Sequence, residues 1–159
     1  MNTQKLTFTK VSEYLERMRV VHKEWNDVCQ LAGDDALETL KGLKGVMLEL
    51  PDGLARIVDL DFYCHADGGQ IYLYLIYKDA MEGKHDKELS RSELQEFRRV
   101  MNGKADIREF ANEVDEDVAA RLVETIRISV DWTWIIALLD AEKISAKVVN
   151  KQLTFNINN

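Results

Sequence analysis

Between Leu54 and Lys78 the chain reads LARIVDLDFYCHADGGQIYLYLIYK, a strict alternation interrupted by an Asp67-Gly68-Gly69 turn signal. Few structures satisfy such a pattern. Successive side chains of a strand point to opposite sides of its sheet, so Val58, Leu60, Phe62 and Cys64 share one face while Asp59, Asp61, Tyr63 and His65 share the other. A two-residue loop at Asp67-Gly68 or at Gly68-Gly69 closes the hairpin, and the two choices differ by a register shift of two, which leaves every side chain on its own face. In either register Ile71, Leu73, Leu75 and Tyr77 join the apolar side, and Tyr72, Tyr74, Ile76 and Lys78 join the side that carries the aspartates.

The rest of the chain predicts an α+β domain around this hairpin. Val46 to Leu50 reads as a strand, and Pro51-Asp52-Gly53 as a tight reversal, giving an antiparallel β-meander over about residues 46–78. With Leu50 opposite Ala55, Glu49 would face Arg56 across the first turn. Terminal strands at Lys5 to Thr9 and Gln152 to Ile157 could extend the sheet. Val11, Leu15, Met18, Trp25, Cys29 and Ala32, widened by Tyr14, Val21 and Val28, mark an amphipathic helix from Ser12 to Ala32, ended by Gly33. Asp35 to Glu38 reads as a capping box opening a short helix to Lys44, and Ser90 to Glu93 as a second one. Residues 80–89 read as a polar loop, and Asp106 with Glu109 starts another short helix.

The segment from Glu116 to Asn150 contains neither glycine nor proline. Val118, Leu122, Ile126, Val130, Trp134, Ala137, Leu138 and Ala141 step along one side of a helix, so a long apolar C-terminal helix is expected there. Ile126 to Trp134 also alternates as a strand would; the helical flanks and the missing turn residues favour helix. Trp132, Trp134, Ile135 and Ile136 are expected in its packed interior.

With 159 residues the chain is expected to form one domain, since halves of that length would bury too little surface. It carries 28 acidic against 21 basic residues, a net charge of −7. This disfavours a phosphate-backbone binder and favours a partner with a basic surface. The N-terminus shows no cationic segment followed by an apolar run, and no stretch approaches the roughly 18 apolar residues of a membrane span, so a cytoplasmic protein is expected. Cys29 and Cys64 lack the spacing of a metal or redox motif and read as buried thiols. Neither a phosphate-cradling glycine motif nor a Ser-His-Asp set is present, because Gly68-Gly69 sits in a hairpin and Cys64 and His65 point apart. No cofactor, catalytic residue or metal ligand is assigned.

The candidate site is therefore one of binding: Asp59, Asp61, Tyr63, His65, Tyr72 and Tyr74 on one strand face, mixing flat aromatic area with carboxylates. It suits a protein-protein interaction of inhibitor, immunity-protein or adaptor type. Two alternatives remain. Asp59 and Asp61, about 7 Å apart along a strand, could hold a divalent cation for a hydrolase or nuclease. The nuclease pattern of an acidic strand followed by acid-x-lysine fails at Ile76, two residues before Lys78, and a loop at Gly68-Gly69 would pair Asp59 with Lys78 as a simple cross-strand ion pair. The other alternative is a structural subunit whose Trp-rich helix buries against a copy of itself or a neighbour. His22 reads as a residue at the edge of an apolar stripe and His85 as solvated.

Overall fold

The computed structural model describes residues 11–158, with side chains from residue 19 onward. The strand expected at Lys5 to Thr9 lies outside the described residues. The chain is α+β: helix α1 (Val11–Leu40), a 3-10 turn (Lys41–Leu43), β1 (Met47–Leu50), β2 (Gly53–His65), β3 (Gly68–Tyr77), α2 (Lys78–Met81), a second 3-10 turn (Asp86–Glu88), α3 (Arg91–Met101), α4 (Ile107–Glu113), α5 (Glu116–Leu122), β4 (Val123–Val130), α6 (Trp132–Leu139), β5 (Lys143–Val149) and β6 (Gln152–Asn158).

Four antiparallel strands form one sheet in the order β1-β2-β3-β4. The β2–β3 hairpin closes through Ala66-Asp67, with His65 opposite Gly68, one more step of two from the expected loops, so the predicted faces survive from Asp59 to Tyr77, while Val58, expected on the apolar face, lines a cleft beside Asp59. Gly68 takes a positive φ of +140° immediately after the loop. A Cβ there would collide with the Val130 carbonyl, which makes the glycine obligatory. The register slips by one between Ile57 and Asp59, a β-bulge that turns Ile57 and Ala55 onto the apolar side opposite Leu75 and Tyr77. Asp59 therefore faces Tyr74, and Lys78 has left the strand for α2, so the expected Asp59–Lys78 pair does not form. In the β1–β2 turn Leu50 meets Gly53, which puts Glu49 opposite Leu54 and removes the expected Glu49–Arg56 pairing.

The apolar face is covered by α1, α6 and the β5–β6 hairpin. Leu60, Ile71, Leu73 and Leu75 are buried with Ala36, Leu40, Leu43, Ile135, Leu138 and Ile144 in one continuous core. Helix α1 comes close because position 33 is glycine: a Cβ there would sit 3.3 Å from the Cys64 Cβ. The helix runs on through Gly33 to Leu40, so the expected break and the Asp35 capping box are absent. Cys29, Gly33, Ala36 and Leu40, at steps of four and three, form the buried stripe that faces the sheet.

The long C-terminal helix is the main correction. Residues 116–150 form α5, β4, α6 and β5 in turn. Ile126, Ile128 and Val130 alternate with Thr125, Arg127 and Ser129 along the edge of β3, where pairing with the neighbouring strand supplies backbone partners along one side of the segment. The boundaries use polar residues in place of glycine or proline. Asp115 caps α5 and Asp131 caps α6, while Asn150 and Lys151 adopt left-handed conformations to turn β5 into β6. Ile135 is buried as expected, whereas Ile136 is exposed. The strand at Gln152 to Ile157 exists but pairs with β5, apart from the meander. The Ser90 box forms as read, with the Glu93 N–H donating to Ser90 Oγ at 3.2 Å and the Ser90 N–H donating to Glu93 Oε1 at 2.8 Å.

Candidate functional site

The six sequence-predicted residues all lie on one side of the β2–β3 hairpin, but they fall into two environments. Near the bulge, α3, α4 and α5 close over the sheet. Val100 and Ile107 line a cleft of about 100 Å³ with Val58 and Asp59, and Ile76 is fully buried. Asp106 caps α4 by accepting from the Arg108 backbone N–H at 2.8 Å, which fixes where the Arg108 side chain starts. Its guanidinium then reaches the sheet, bonding Asp61, lying 3.8 Å from Asp59 and sitting 5.0 Å over the Tyr74 ring. Lys44 approaches Asp59 from the other direction, at 3.7 Å. Tyr74 is only 8% exposed and donates its hydroxyl proton to Asp61 at 3.2 Å.

These contacts account for the local ionisation. Hydrogen bonds from Arg108 hold the Asp106 carboxyl below the usual carboxylate range. Burial pushes the Tyr74 phenol up, with the Asp61 charge adding to it. Arg108 is pushed further into its charged form, first by its bond to Asp106. Asp59 and Asp61 are thus ion-paired from within the molecule.

Toward the Ala66-Asp67 turn the same face is open. Tyr63 is 57% exposed and meets Tyr72 edge-on, ring centroids 5.6 Å apart. Arg127, on β4 where the sequence predicts helix, places its guanidinium 5.8 Å from the centre of the Tyr72 ring. The Tyr72 hydroxyl donates to Gln70 Oε1 at 3.1 Å. His65 is exposed beside the turn, where its Nδ1 accepts from the Asp67 N–H at 3.3 Å. The structure thus leaves Tyr63, His65 and Tyr72 at the open end, adds Gln70, Arg127 and Ser129, and draws Asp59, Asp61 and Tyr74 into internal contacts.

Sequence reasoning missed Arg108, Lys44 and Arg127. Arg108 sits 47 positions from Asp61, and no local spacing reports that separation. Arg127 carried a usable signal in the alternation of Ile126 to Val130.

Two further clusters stand elsewhere. A cleft of about 290 Å³ at the opposite end of the hairpin is lined by Lys78, Lys84, His85 and Arg121 together with Asp52, Asp79 and Glu82. Its basic side chains are paired: Lys84 with Asp79 at 3.0 Å, Lys78 with Glu82 at 3.6 Å, and Arg121 with Glu88. His85, expected to be solvated, bonds Glu88 at 2.6 Å. Between α1 and β2, Cys29 is buried and Cys64 half-buried beside it, and burial together with the Cys29 thiol pushes Cys64 up to about 11. His22 is exposed on α1. Among the described residues no three His, Cys, Asp or Glu side chains converge as a metal-holding group, and no helix is long and apolar enough to cross a membrane.

Comparison with protein-family models, with curated proteins and with solved structures returns no match for this chain.

Proposed function

We propose that the chain works by holding another protein against the open part of its tyrosine face, as an inhibitor, immunity protein or adaptor does, and performs no chemistry of its own. The observation that supports this reading is the exposed Tyr63 ring set edge-on against the half-buried Tyr72, with Arg127 beside them. Tyrosine offers a large contact area with few rotatable bonds, and a ring already braced by its neighbours loses little freedom on binding. His65, Gln70 and Ser129 supply hydrogen-bonding groups around it. The partner proposed is a protein with a basic surface, drawn by the net charge of −7 rather than by Asp59 and Asp61, which Arg108 and Lys44 already occupy. The same occupancy removes the support for a cation held between those two carboxylates.

Capture of a stoichiometric partner by the tagged full chain, followed by titration of the purified pair, tests the proposal. Tyr63→Ala and Tyr72→Ala should each weaken binding by roughly 10- to 100-fold, the range of a central aromatic contact. A partner whose affinity is the same for both variants and the parent chain would overturn it.

A further inference from the structure

Helix α1 carries a run of exposed side chains before it meets the sheet. Among the described side chains the first buried one is Cys29, and from residue 19 to residue 28 every side chain is exposed. The exposed residues include Val21 at 63%, Trp25 at 41% and Val28 at 49%. Trp25 rests against Trp132 at the start of α6, ring centroids 5.5 Å apart, where the arm leaves the body. The helical arm from Val11 to Val28 is about 27 Å long at about 1.5 Å per residue.

Its apolar residues follow a different rhythm from the sheet-facing stripe. Val21, Trp25 and Val28 are spaced by four and three, and the sequence carries the same spacing back through Met18, Tyr14 and Val11. Val11, Met18 and Trp25 occupy one position of a seven-residue repeat, and Tyr14, Val21 and Val28 the other, which is the seam of a coiled coil. A helix lying on a sheet has no need of this seam, and here the sheet is met by other positions.

We propose that a second copy of this chain covers the seam, with the two arms antiparallel. The charges choose both the occupant and the register. Arg17 and Glu24 both stand at the repeat position just before the seam, which flanks the same position of an antiparallel neighbour. Placing Val21 level with the partner's Met18 sets Trp25 against the partner's Tyr14 and Val28 against the partner's Val11, so every seam position is used. The same register sets Arg17 beside the partner's Glu24, and two-fold symmetry repeats the pair. Sliding by one repeat puts Glu24 beside the partner's Glu24 and empties part of the seam. A parallel pair would set Arg17 beside the partner's His22 and Glu24 beside the partner's Cys29, with no acid facing a base. Antiparallel arms also carry the two bodies to opposite ends, clear of one another. This surface is separate from the tyrosine face, so the two proposals stand or fall independently.

Sedimentation velocity of the full chain over a concentration series tests it. A reversible dimer is expected. Val21→Glu and Val28→Glu, both at positions exposed in the single chain, should keep the far-ultraviolet spectrum and raise the dimer dissociation constant roughly tenfold or more, because each buries a charge in the seam. Arg17→Glu and Glu24→Arg should each weaken the dimer by roughly three- to tenfold by opposing like charges, and the double exchange should restore it. A monomer at every concentration overturns the proposal, as does a dimer indifferent to Val21→Glu. A dimer that the double exchange fails to rescue overturns the antiparallel register.

Discussion

The two ends of the tyrosine face carry the same alternating pattern and meet opposite fates. Near the bulge, Ile76 and Tyr74 are sealed under α3 to α5, and the carboxylates of Asp59 and Asp61 are held by Arg108 and Lys44. Near the hairpin turn, Tyr63 stands in water against the edge of Tyr72, with Arg127 beside them. Alternation decides which side of a sheet a residue takes, and the elements that close over that side decide whether it serves stability or recognition. Asp61 and Tyr63 thus meet different surroundings, although they sit on one strand two residues apart.

Four substitutions or conditions would break or sharpen this contrast. Ile76→Ala should cost the most, about 2–4 kcal/mol in urea unfolding, since the site is fully buried in the closed end; a loss under about 1 kcal/mol would mean that this end is not closed. Arg108→Ala comes next, at about 1–2 kcal/mol, because it strands two carboxylates; its side chain is 40% exposed, and water softens the penalty. A double-mutant cycle with Asp61→Asn should recover part of that loss, and strict additivity would dissociate the pair.

Acid should act on the covered end next. Asp106 is held below its unfolded value by Arg108, so its contribution is present above the unfolded carboxylate value and disappears as pH falls through the lower folded one. Thermal stability should therefore decline below about pH 4, and less steeply in Asp106→Asn; identical profiles would remove that ion pair from the account. Tyr63→Ala should be the mildest, within about 0.5 kcal/mol of the parent, because an exposed ring supports little of the fold. A larger loss would mean that the open end is structural, and any weakened binding in that variant would need another explanation.

The β2–β3 hairpin was legible because its signal is local: period-two alternation and a glycine at the turn fix the faces, and three different loop placements agree on them. The segment from Glu116 to Asn150 misled for the complementary reason. Its boundaries rest on aspartate caps and on Asn150 and Lys151 in left-handed conformations, which carry far weaker sequence signals than glycine or proline. Ile126 to Val130 fits helix and strand alike, and the edge of β3, distant in the chain, settled the choice by offering a row of backbone partners. Of the candidate site, the side of the sheet was readable and the division into held and open ends was not, since it depends on Arg108 arriving from 47 positions beyond Asp61.

By itself the sequence determined the α+β class, the hairpin, the capped starts at Ser90 and Asp106, and the sorting of Asp59, Asp61, Tyr63, His65, Tyr72 and Tyr74 onto one face, because each follows from backbone periodicity or from groups within a few residues. Only the tertiary structure decided that β4 is a strand, that Asp59 and Asp61 are ion-paired within the molecule, and that the Tyr63 and Tyr72 end stays open. Those outcomes are set by contacts between distant segments, where burial and charge pairing outweigh local preference.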